Sequence, residues 1–181
     1  MGTQEQSDGK KAESGVIHTN DNWANVNFNA AFGTTPILLT QSQTQNGDDP
    51  IVTRNISVDL NGFEVRVQEE EDRAGFHVNE AIGYFAIEDG TGYLEGVRYE
   101  ADVIIGEVDD TWYKINFDSV YSDPVFLADI RSFNDSDTCE LRKRNLDSNS
   151  VEIRIEEGRA ADNETNHAQE DVGYLVFDDA V

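Results

Sequence analysis

The sequence lacks the features of a disulfide scaffold, a membrane-spanning protein or a nucleic-acid-binding protein. Cys139 is the single cysteine, so no disulfide can form within the chain. No segment approaches the roughly 18 consecutive apolar residues of a membrane span. Only 13 Lys and Arg stand against 37 Asp and Glu, with no basic stripe to neutralise phosphates. We therefore expect neither a membrane span nor a nucleic-acid partner.

Lysine is scarce even among these few cations, since four are Lys and nine are Arg. The formal net charge of −24 would destabilise a compact state in dilute buffer by self-repulsion. At molar salt the Debye length falls to about 3 Å and the repulsion is largely screened. This balance predicts a halophilic source, with an ordinary acidic protein and a nucleic-acid mimic as alternatives. A mimic would concentrate its charge on one surface, whereas Asp and Glu occur here in nearly every predicted strand and loop.

Enzyme and export motifs are also missing. The sequence has no Gly-x-Ser-x-Gly elbow, no phosphate loop and no His-Glu-x-x-His helix. Motifs alone leave open a carboxylate pair for glycoside hydrolysis, but a small duplicated fold without a deep cleft favours a non-enzymatic protein. The polar first 15 residues, MGTQEQSDGKKAESG, show no signal peptide. We therefore expect a protein that is made without a visible leader.

The chain contains an internal duplication. Matched residues keep their type and stand 88 to 90 positions apart, as in Trp23 and Trp112, Arg54 and Arg142, and His77 and His167. A deletion near Gly33 and an insertion near Gly158, both in predicted loops, account for the changes of offset. We predict a disordered tail at 1–12, a first repeat at 13–90, a linker at 91–99 and a second repeat at 100–181.

Apolar residues alternate with polar ones inside each repeat. GFEVRVQ places Phe63, Val65 and Val67 on one face, and SVEIRIE does the same with Val151, Ile153 and Ile155. No segment has convincing helical periodicity over ten residues. The pattern predicts an all-β fold of two tandem antiparallel β-sandwich domains, each with five to six strands and no substantial helix.

Several short motifs resemble the H-type lectin domain. They are the Trp-x-x-x-Asn-Phe segment at 23–28, the Pro-led strand at 36–39, Asn-Gly-Asp at 46–48, Arg54, and Gly-Phe-Glu-Val-Arg at 62–66. The second repeat keeps most of them at 112–117, 124–127, 134, 142 and 151–154. The resemblance implies a six-stranded antiparallel sandwich, assembly as a homo-oligomer (a trimer is favoured) and carbohydrate binding. The closing His-x-x-Glu and Gly-Tyr pattern is similar to domains repeated in large surface and secreted proteins of salt-loving archaea and marine bacteria.

The His-x-x-Glu motifs, His77 with Glu80 and His167 with Glu170, have two interpretations. In one, each pair binds a ligand or metal where a loop meets the last strand; in the other, each pair is a hydrogen-bonded clasp. Zinc needs three or four protein ligands, and no nearby Cys or third His recurs in both repeats. Further candidate ligand contacts are the aromatic residues least tied to the repeat: Tyr93, Tyr113 and Tyr121.

Two equivalent loops are rich in oxygen ligands of the kind that calcium prefers. They contribute Asn46, Asp48 and Asp49 in the first repeat, and Asn134, Asp135 and Asp137 in the second. Calcium is therefore a candidate cofactor, although such clusters also occur in ordinary turns. The two Trp residues fit sugar-stacking platforms or, as we favour, core positions.

Together these features predict a non-enzymatic structural or attachment protein. The sequence favours a virion component of a halophile's virus (a decoration, turret or tail-fibre protein), located on the virion or another extracellular surface. Its partners would be further copies, other surface or virion proteins and host glycans. The alternative is a free or cell-surface carbohydrate-binding module of a halophile.

Overall fold

A computed structural model describes residues 2–5, 11–73, 75–161 and 163–178, and it is all-β. The first half forms β1 (Gly2–Glu5), β2 (Lys11–Thr19), β3 (Ala24–Asn27), β4 (Ile37–Ser42), β5 (Ile51–Ile56), β6 (Gly62–Glu69) and β7 (Glu80–Ile87). The second half forms β8 (Gly90–Leu94), β9 (Val97–Val108), β10 (Tyr113–Asn116), β11 (Pro124–Ile130), β12 (Cys139–Arg144), β13 (Ser150–Glu157) and β14 (Glu170–Asp178). Within the described ranges the helical content is one 3₁₀ turn at Glu71–Arg73. The all-β prediction is confirmed.

The strand order is the same in the two halves. The first half has a four-stranded sheet, β1-β2-β7-β4, and a three-stranded sheet, β3-β6-β5. The second half has β8-β9-β14-β11 and β10-β13-β12, which is the first pattern with seven added to each strand number. All these pairings are antiparallel. We call residues 2–87 the first repeat and residues 90–178 the second repeat from here on.

The structure differs from the predicted tail and linker. Residues 91–99 belong to the β8–β9 hairpin, whose turn has positive φ at Glu95 (49°) and Gly96 (87°). Positive φ at both central residues is typical of a two-residue β-hairpin turn, so the glycine-rich sequence here forms a hairpin and not a linker. In the predicted tail, Gly2–Glu5 pairs with the start of β2, where Ala12 is buried. The remainder of that tail lies outside the described residues.

Each repeat has its own apolar cluster between its two sheets. In the first repeat Val65 and Val67 of β6 face Ile82 and Tyr84 of β7. The corresponding cluster of the second repeat contains inward residues of β13 and β14: Val151, Ile153, Ile155, Val172, Tyr174 and Val176. The predicted alternation of β6 and β13 is therefore confirmed, because the inward residues are at most 3 % exposed.

A third apolar cluster joins the repeats. Its buried members come from the four-stranded sheets of both: Ala12, Ile37 and Ile87 from the first, and Tyr99, Ala101 and Leu175 from the second. Burying one large aliphatic side chain stabilises a fold by about 1.5–3 kcal/mol. The repeats are therefore packed directly against each other and are not separated by a linker.

Both Trp residues lie outside these clusters, so the expectation that they are core residues was wrong. Trp23 and Trp112 are partly exposed, on the outer side of the three-stranded sheets. Trp23 packs edge-on against Phe133, with ring centroids 5.8 Å apart. Trp112 lies beneath two guanidinium groups, those of Arg144 at 4.1 Å and Arg154 at 4.9 Å. Cations over aromatic faces are favourable, which accounts for large rings being stable on this surface.

Candidate functional site

The most distinctive polar feature of the first repeat is a buried Glu-His-Glu cluster. His77 Nδ1 lies 2.7 Å from Glu69 Oε1, and His77 Nε2 lies 3.1 Å from Glu80 Oε1. Glu69 ends β6 in the three-stranded sheet, whereas Glu80 begins β7 in the four-stranded sheet. His77 is 2 % exposed and Glu80 is 1 % exposed. The histidine therefore ties the two sheets together where β6 ends and β7 begins.

Glu80 also holds the loop between β4 and β5. Its carboxylate accepts hydrogen bonds from the backbone N–H groups of Asn46 (2.7 Å) and Gly47 (3.0 Å) and from the hydroxyl of Thr44. A side chain at Gly47 would collide with the His77 ring, which explains a glycine at this point of the loop. Hydrogen bonding of backbone amides to a buried carboxylate fixes the path of loop 43–50.

The second repeat contains the same arrangement. His167 Nδ1 lies 2.7 Å from Glu157 Oε1, and His167 Nε2 lies 3.4 Å from Glu170 Oε1. Glu170 accepts from the backbone N–H of Asn134 at 2.9 Å and from the hydroxyl of Ser132. Loop 131–138 is thus held in the way that loop 43–50 is. These contacts are those of the clasp interpretation, because each histidine nitrogen already has a carboxylate partner.

The electrostatics favour a doubly protonated histidine in both clasps. Burial opposes the charged form, but the hydrogen bonds and charges of Glu69 and Glu80 outweigh it and raise the pKa of His77. In the second clasp burial is again overcome, by Cys139 and the two glutamates, and the pKa of His167 rises to about 10. Burial likewise opposes ionisation of Glu80, yet its donors lower the pKa of Glu80 to about 2. His167 therefore donates from both nitrogens at neutral pH, and the two carboxylates beside the His77 nitrogens favour the same form.

Arg54 of the first repeat enters the second clasp. Arg54 Nη2 lies 3.5 Å from Glu170 Oε1, and its other terminal nitrogen contacts the sulfur of Cys139. Cys139 Sγ is in turn 3.5 Å from His167 Nε2. Ile51 stands at the position of Cys139 in the first repeat, so the two clasps differ in this contact. Burial opposes ionisation of Glu170, but hydrogen bonds from His167, Ser132 and Asn134 lower the pKa of Glu170, and the Arg54 cation beside it adds to this effect.

Among the predicted calcium residues, the two aspartates of the second repeat lie in groups of possible metal ligands. In the second repeat, ligand atoms of Asp135, Glu157 and His167 lie within 4.8 Å of one another, as do those of Asp137, Glu157 and Glu164. The first group includes His167, which donates from both ring nitrogens in the clasp and so has no lone pair for a metal. The second group is all-carboxylate, the ligand type that calcium prefers.

The predicted calcium residues of the first loop have other contacts. Asp48 is exposed, and Asp49 lies 3.8 Å from Arg73. The side-chain amides of the two predicted asparagines donate to backbone carbonyls, Asn46 to Asn79 and Asn134 to Gln169.

The three candidate tyrosines have different environments. Tyr93 of β8 is 50 % exposed, whereas Tyr113 packs partly buried against the second core. Tyr121 is fully buried, and its hydroxyl donates to Glu100 at 3.3 Å. The expectation that Tyr121 makes exposed contacts was therefore wrong, because its hydroxyl is needed by a buried carboxylate.

Two buried glutamates outside the clasps were also missing from the residues predicted by sequence. Glu13 of β2 accepts from the Tyr84 hydroxyl at 2.9 Å, and Glu100 of β9 accepts from the Tyr174 hydroxyl at 3.0 Å. Both carboxylates also accept a backbone N–H after the next strand, and burial raises the pKa of Glu100. These pairs explain the repeated tyrosine of the Gly-Tyr motif. The glutamates are 87 positions apart, which lies just outside the register of 88 to 90 that revealed the duplication.

A groove of about 730 Å³ separates the repeats near the second clasp. Asp129 lines it and accepts from the backbone N–H (2.9 Å) and hydroxyl (2.7 Å) of Thr40. Burial raises the pKa of Asp129 to about 7. The predicted ligand-binding residues are not among the residues that line this groove, which include Arg54, Leu127 and Cys139.

Comparison with known proteins gives one informative match. The chain is 32% identical over 181 residues to Halomucin from Haloquadratum walsbyi (strain DSM 16790 / HBSQ001). The match covers 97% of this chain but only 2% of Halomucin. No family model and no solved structure matches the chain. No helix among the described residues is long and apolar enough to cross a membrane.

Proposed function

We propose that this chain is a structural module of an extracellular surface in a halophile, built as two tandem β-sandwiches and without enzymatic activity. The observation that carries the proposal is the repeated Glu-His-Glu clasp. In both repeats the buried His and Glu side chains hold loops and sheets together. Such contacts stabilise the fold, as a structural role requires. The net charge of −24 and the similarity to Halomucin support a halophilic, surface-associated role.

The experiment that tests this role is protease treatment of intact host cells in molar salt. An antibody against the chain would follow its loss from the cell surface, with a cytoplasmic enzyme of the same host as the control. Surface association requires rapid loss of the chain while the cytoplasmic control remains intact. Retention of both proteins until the cells are lysed would contradict the proposal.

The virion assignment is the more specific form of the same proposal and stays a prediction. Sedimented virus particles from a lysed halophilic culture would contain the chain in stoichiometric amount if it is a decoration, turret or tail-fibre protein. The trimer implied by the H-type lectin resemblance also stays a prediction, which the mass in molar salt checks.

Carbohydrate binding is the second candidate function, and the groove between the repeats favours it. It presents the carboxylate of Asp129 beside the apolar side chains of Leu39 and Leu127, a combination that suits a sugar with one polar and one apolar face. A glycan array in molar salt tests it, with Asp129→Asn as the variant expected to lose binding. Calcium is proposed as an optional cation held by the all-carboxylate group that contains Asp137, to be checked by titration before and after chelation.

A further inference from the structure

The sulfur of Cys139 lies among charged side chains of both repeats. A terminal guanidinium nitrogen of Arg54, from the first repeat, contacts it, and His167 Nε2 of the second repeat lies 3.5 Å away. Both side chains also contact Glu170. An arginine nitrogen can only donate a hydrogen bond, so the sulfur of Cys139 is the acceptor. The single cysteine of the chain therefore lies against two cationic donors.

These neighbours are of the kinds that activate a thiol. Cationic donors beside a sulfur favour its thiolate form, which is the nucleophile in disulfide exchange. His167 is held in place from its other side, because its Nδ1 lies 2.7 Å from Glu157 Oε1. A sulfur, an imidazole and a carboxylate thus follow one another in hydrogen-bonding contact, an order that is found around nucleophilic side chains.

The groove between the repeats gives access to this sulfur. Cys139 is only 5 % exposed, but it lines the groove of about 730 Å³ together with Arg54 and Asp129. Sites that hold small organic molecules have volumes of about 300–1,000 Å³. The groove is therefore large enough for a small reagent, although it is too small for a folded protein.

An unused hydrogen-bond donor lies close to the sulfur. Arg54 Nε is fully buried on a side chain that is 2 % exposed, and it has no hydrogen-bond partner in the part of the chain that the structure describes. A buried donor without an acceptor is unfavourable. Because Nε belongs to the same guanidinium group that contacts Cys139, a ligand that reaches the sulfur can supply the missing acceptor.

We propose that Cys139 is a covalent modification site for a small disulfide that enters the groove and carries a hydrogen-bond acceptor for Arg54. The thiolate of Cys139 attacks one sulfur of the added disulfide. A bond forms between Sγ and that sulfur, the original S–S bond breaks, and the other half leaves as a thiolate that takes a proton from the solvent. Cys139 is thereby oxidised to a mixed disulfide, while the leaving half is reduced to a free thiol.

The first repeat provides an internal comparison. Ile51 stands at the position equivalent to Cys139 and lines the same groove. Arg142, the counterpart of Arg54, is 59 % exposed and pairs with Glu156 of its own sheet. A thiol at position 51 would therefore lack the equivalent guanidinium group. The site is a property of the second repeat, and the inference does not depend on the proposed surface role.

The test is the reaction of the whole folded chain with 2,2′-dithiodipyridine, at pH 7 in about 2 M NaCl, where self-repulsion is screened. This reagent is a small disulfide with an acceptor nitrogen beside each sulfur, and the absorbance of the released thiopyridone measures the reaction. We expect one equivalent to be released, about tenfold faster than from the chain unfolded in urea at the same salt concentration. Cys139→Ser is the blank. A folded chain that reacts no faster than the unfolded chain would overturn the proposal.

A matched variant tests the part played by the neighbouring cations. Ile51→Cys in the Cys139→Ser background moves the single thiol to the equivalent position of the groove, and circular dichroism checks that the variant is folded. We expect it to react at least about tenfold more slowly than wild type. Equal rates would contradict activation by Arg54 and His167.

The route of the reagent is tested with low concentrations of urea. Reaction through the groove requires a wild-type rate that changes little until the chain begins to unfold. A rate that climbs steeply from the lowest urea concentrations would mean that the reagent reaches Cys139 only in the unfolded chain, and this result would also overturn the proposal.

Discussion

Arg54 and Arg142 occupy equivalent positions in the two repeats, yet their surroundings are opposite. Arg54 is buried between Phe133, Cys139 and Glu170, all of which belong to the other repeat. Arg142 is largely exposed and pairs with Glu156 of its own sheet at 2.7 Å. The same residue of a duplicated sequence is therefore buried in one repeat and exposed in the other, depending on whether the neighbouring repeat packs against it.

The two histidine clasps differ for the same reason. Both use one His and two Glu, but the second clasp also receives the Arg54 cation and the Cys139 sulfur. It therefore combines residues from both repeats, whereas the first clasp is built from the first repeat alone. We expect the second clasp to couple the stability of the two repeats.

The largest effect is expected from removing the buried arginine. Arg54→Ala leaves the buried Glu170 with less compensation and a void beside Phe133, and should lower the free energy of unfolding by about 3–5 kcal/mol. Arg142→Ala, the matched change at the equivalent exposed position, should cost under about 1 kcal/mol. Urea unfolding in molar salt at low protein concentration measures both. Equal losses for the two variants would show that the asymmetry between the repeats has no energetic consequence.

A pH series should separate the two clasps next. The pKa of His167 is about 10 in the folded chain and about 6.5 when unfolded, so the folded state binds the proton more tightly. Its stabilising contribution is complete below pH 6.5 and is lost as the pH rises towards 10. We expect the free energy of unfolding to fall by an amount on the order of 2–4 kcal/mol over that window. Thermal unfolding measured at a series of pH values checks this.

His167→Gln should be less stable than wild type at pH 6 and should remove most of this pH dependence. His77→Gln should remove less, although the pKa of His77 is also raised and its contribution has the same sign. A wild-type chain whose stability is flat between pH 6 and pH 10 would contradict protonated histidines in the clasps.

The sequence predicted the strands well because burial follows a simple period. Phe63, Val65 and Val67 point inward as the alternation requires, and the duplication predicted that the second repeat does the same. The sequence did not predict β8, because Gly-Thr-Gly-Tyr-Leu has weak strand propensity and resembles a linker. That segment is a strand because it pairs antiparallel with β9. Pairing between strands, which local composition does not encode, decided this boundary.

The candidate site was predicted only in part. The His-x-x-Glu spacing identified His77 with Glu80 and His167 with Glu170, which the structure does bring together. The second carboxylate of each clasp comes from another sheet and leaves no short-range pattern. The entry of Arg54 into the second clasp depends on packing between the repeats, which no local spacing describes.

A smaller effect is expected from the aromatic residue that distinguishes the loops. Phe133→Gln gives loop 131–138 the residue that loop 43–50 has, and removes the ring between Trp23 and two arginines. We expect a loss of about 1–3 kcal/mol, from burial and cation–π contacts, by urea unfolding. Gln45→Phe is the reciprocal change at an exposed loop position and should alter the stability of the monomer by less than about 0.5 kcal/mol. A neutral Phe133→Gln would mean that the joining cluster alone holds the repeats together.

The smallest effect concerns the environments of the two tryptophans, which are the only ones in the chain. Trp23→Phe and Trp112→Phe each leave a single reporter, and acrylamide quenching of its fluorescence measures access to the ring. Trp112 should be quenched more strongly than Trp23, because Phe133 of the other repeat covers one edge of Trp23, whereas the guanidinium groups over Trp112 come from partly exposed arginines of its own repeat. Phe133→Gln in the Trp112→Phe background should raise the quenching of Trp23 towards that of Trp112. Equal quenching before that change would mean that the loop gives Trp23 no protection in solution, and the two sheet faces would then be equivalent.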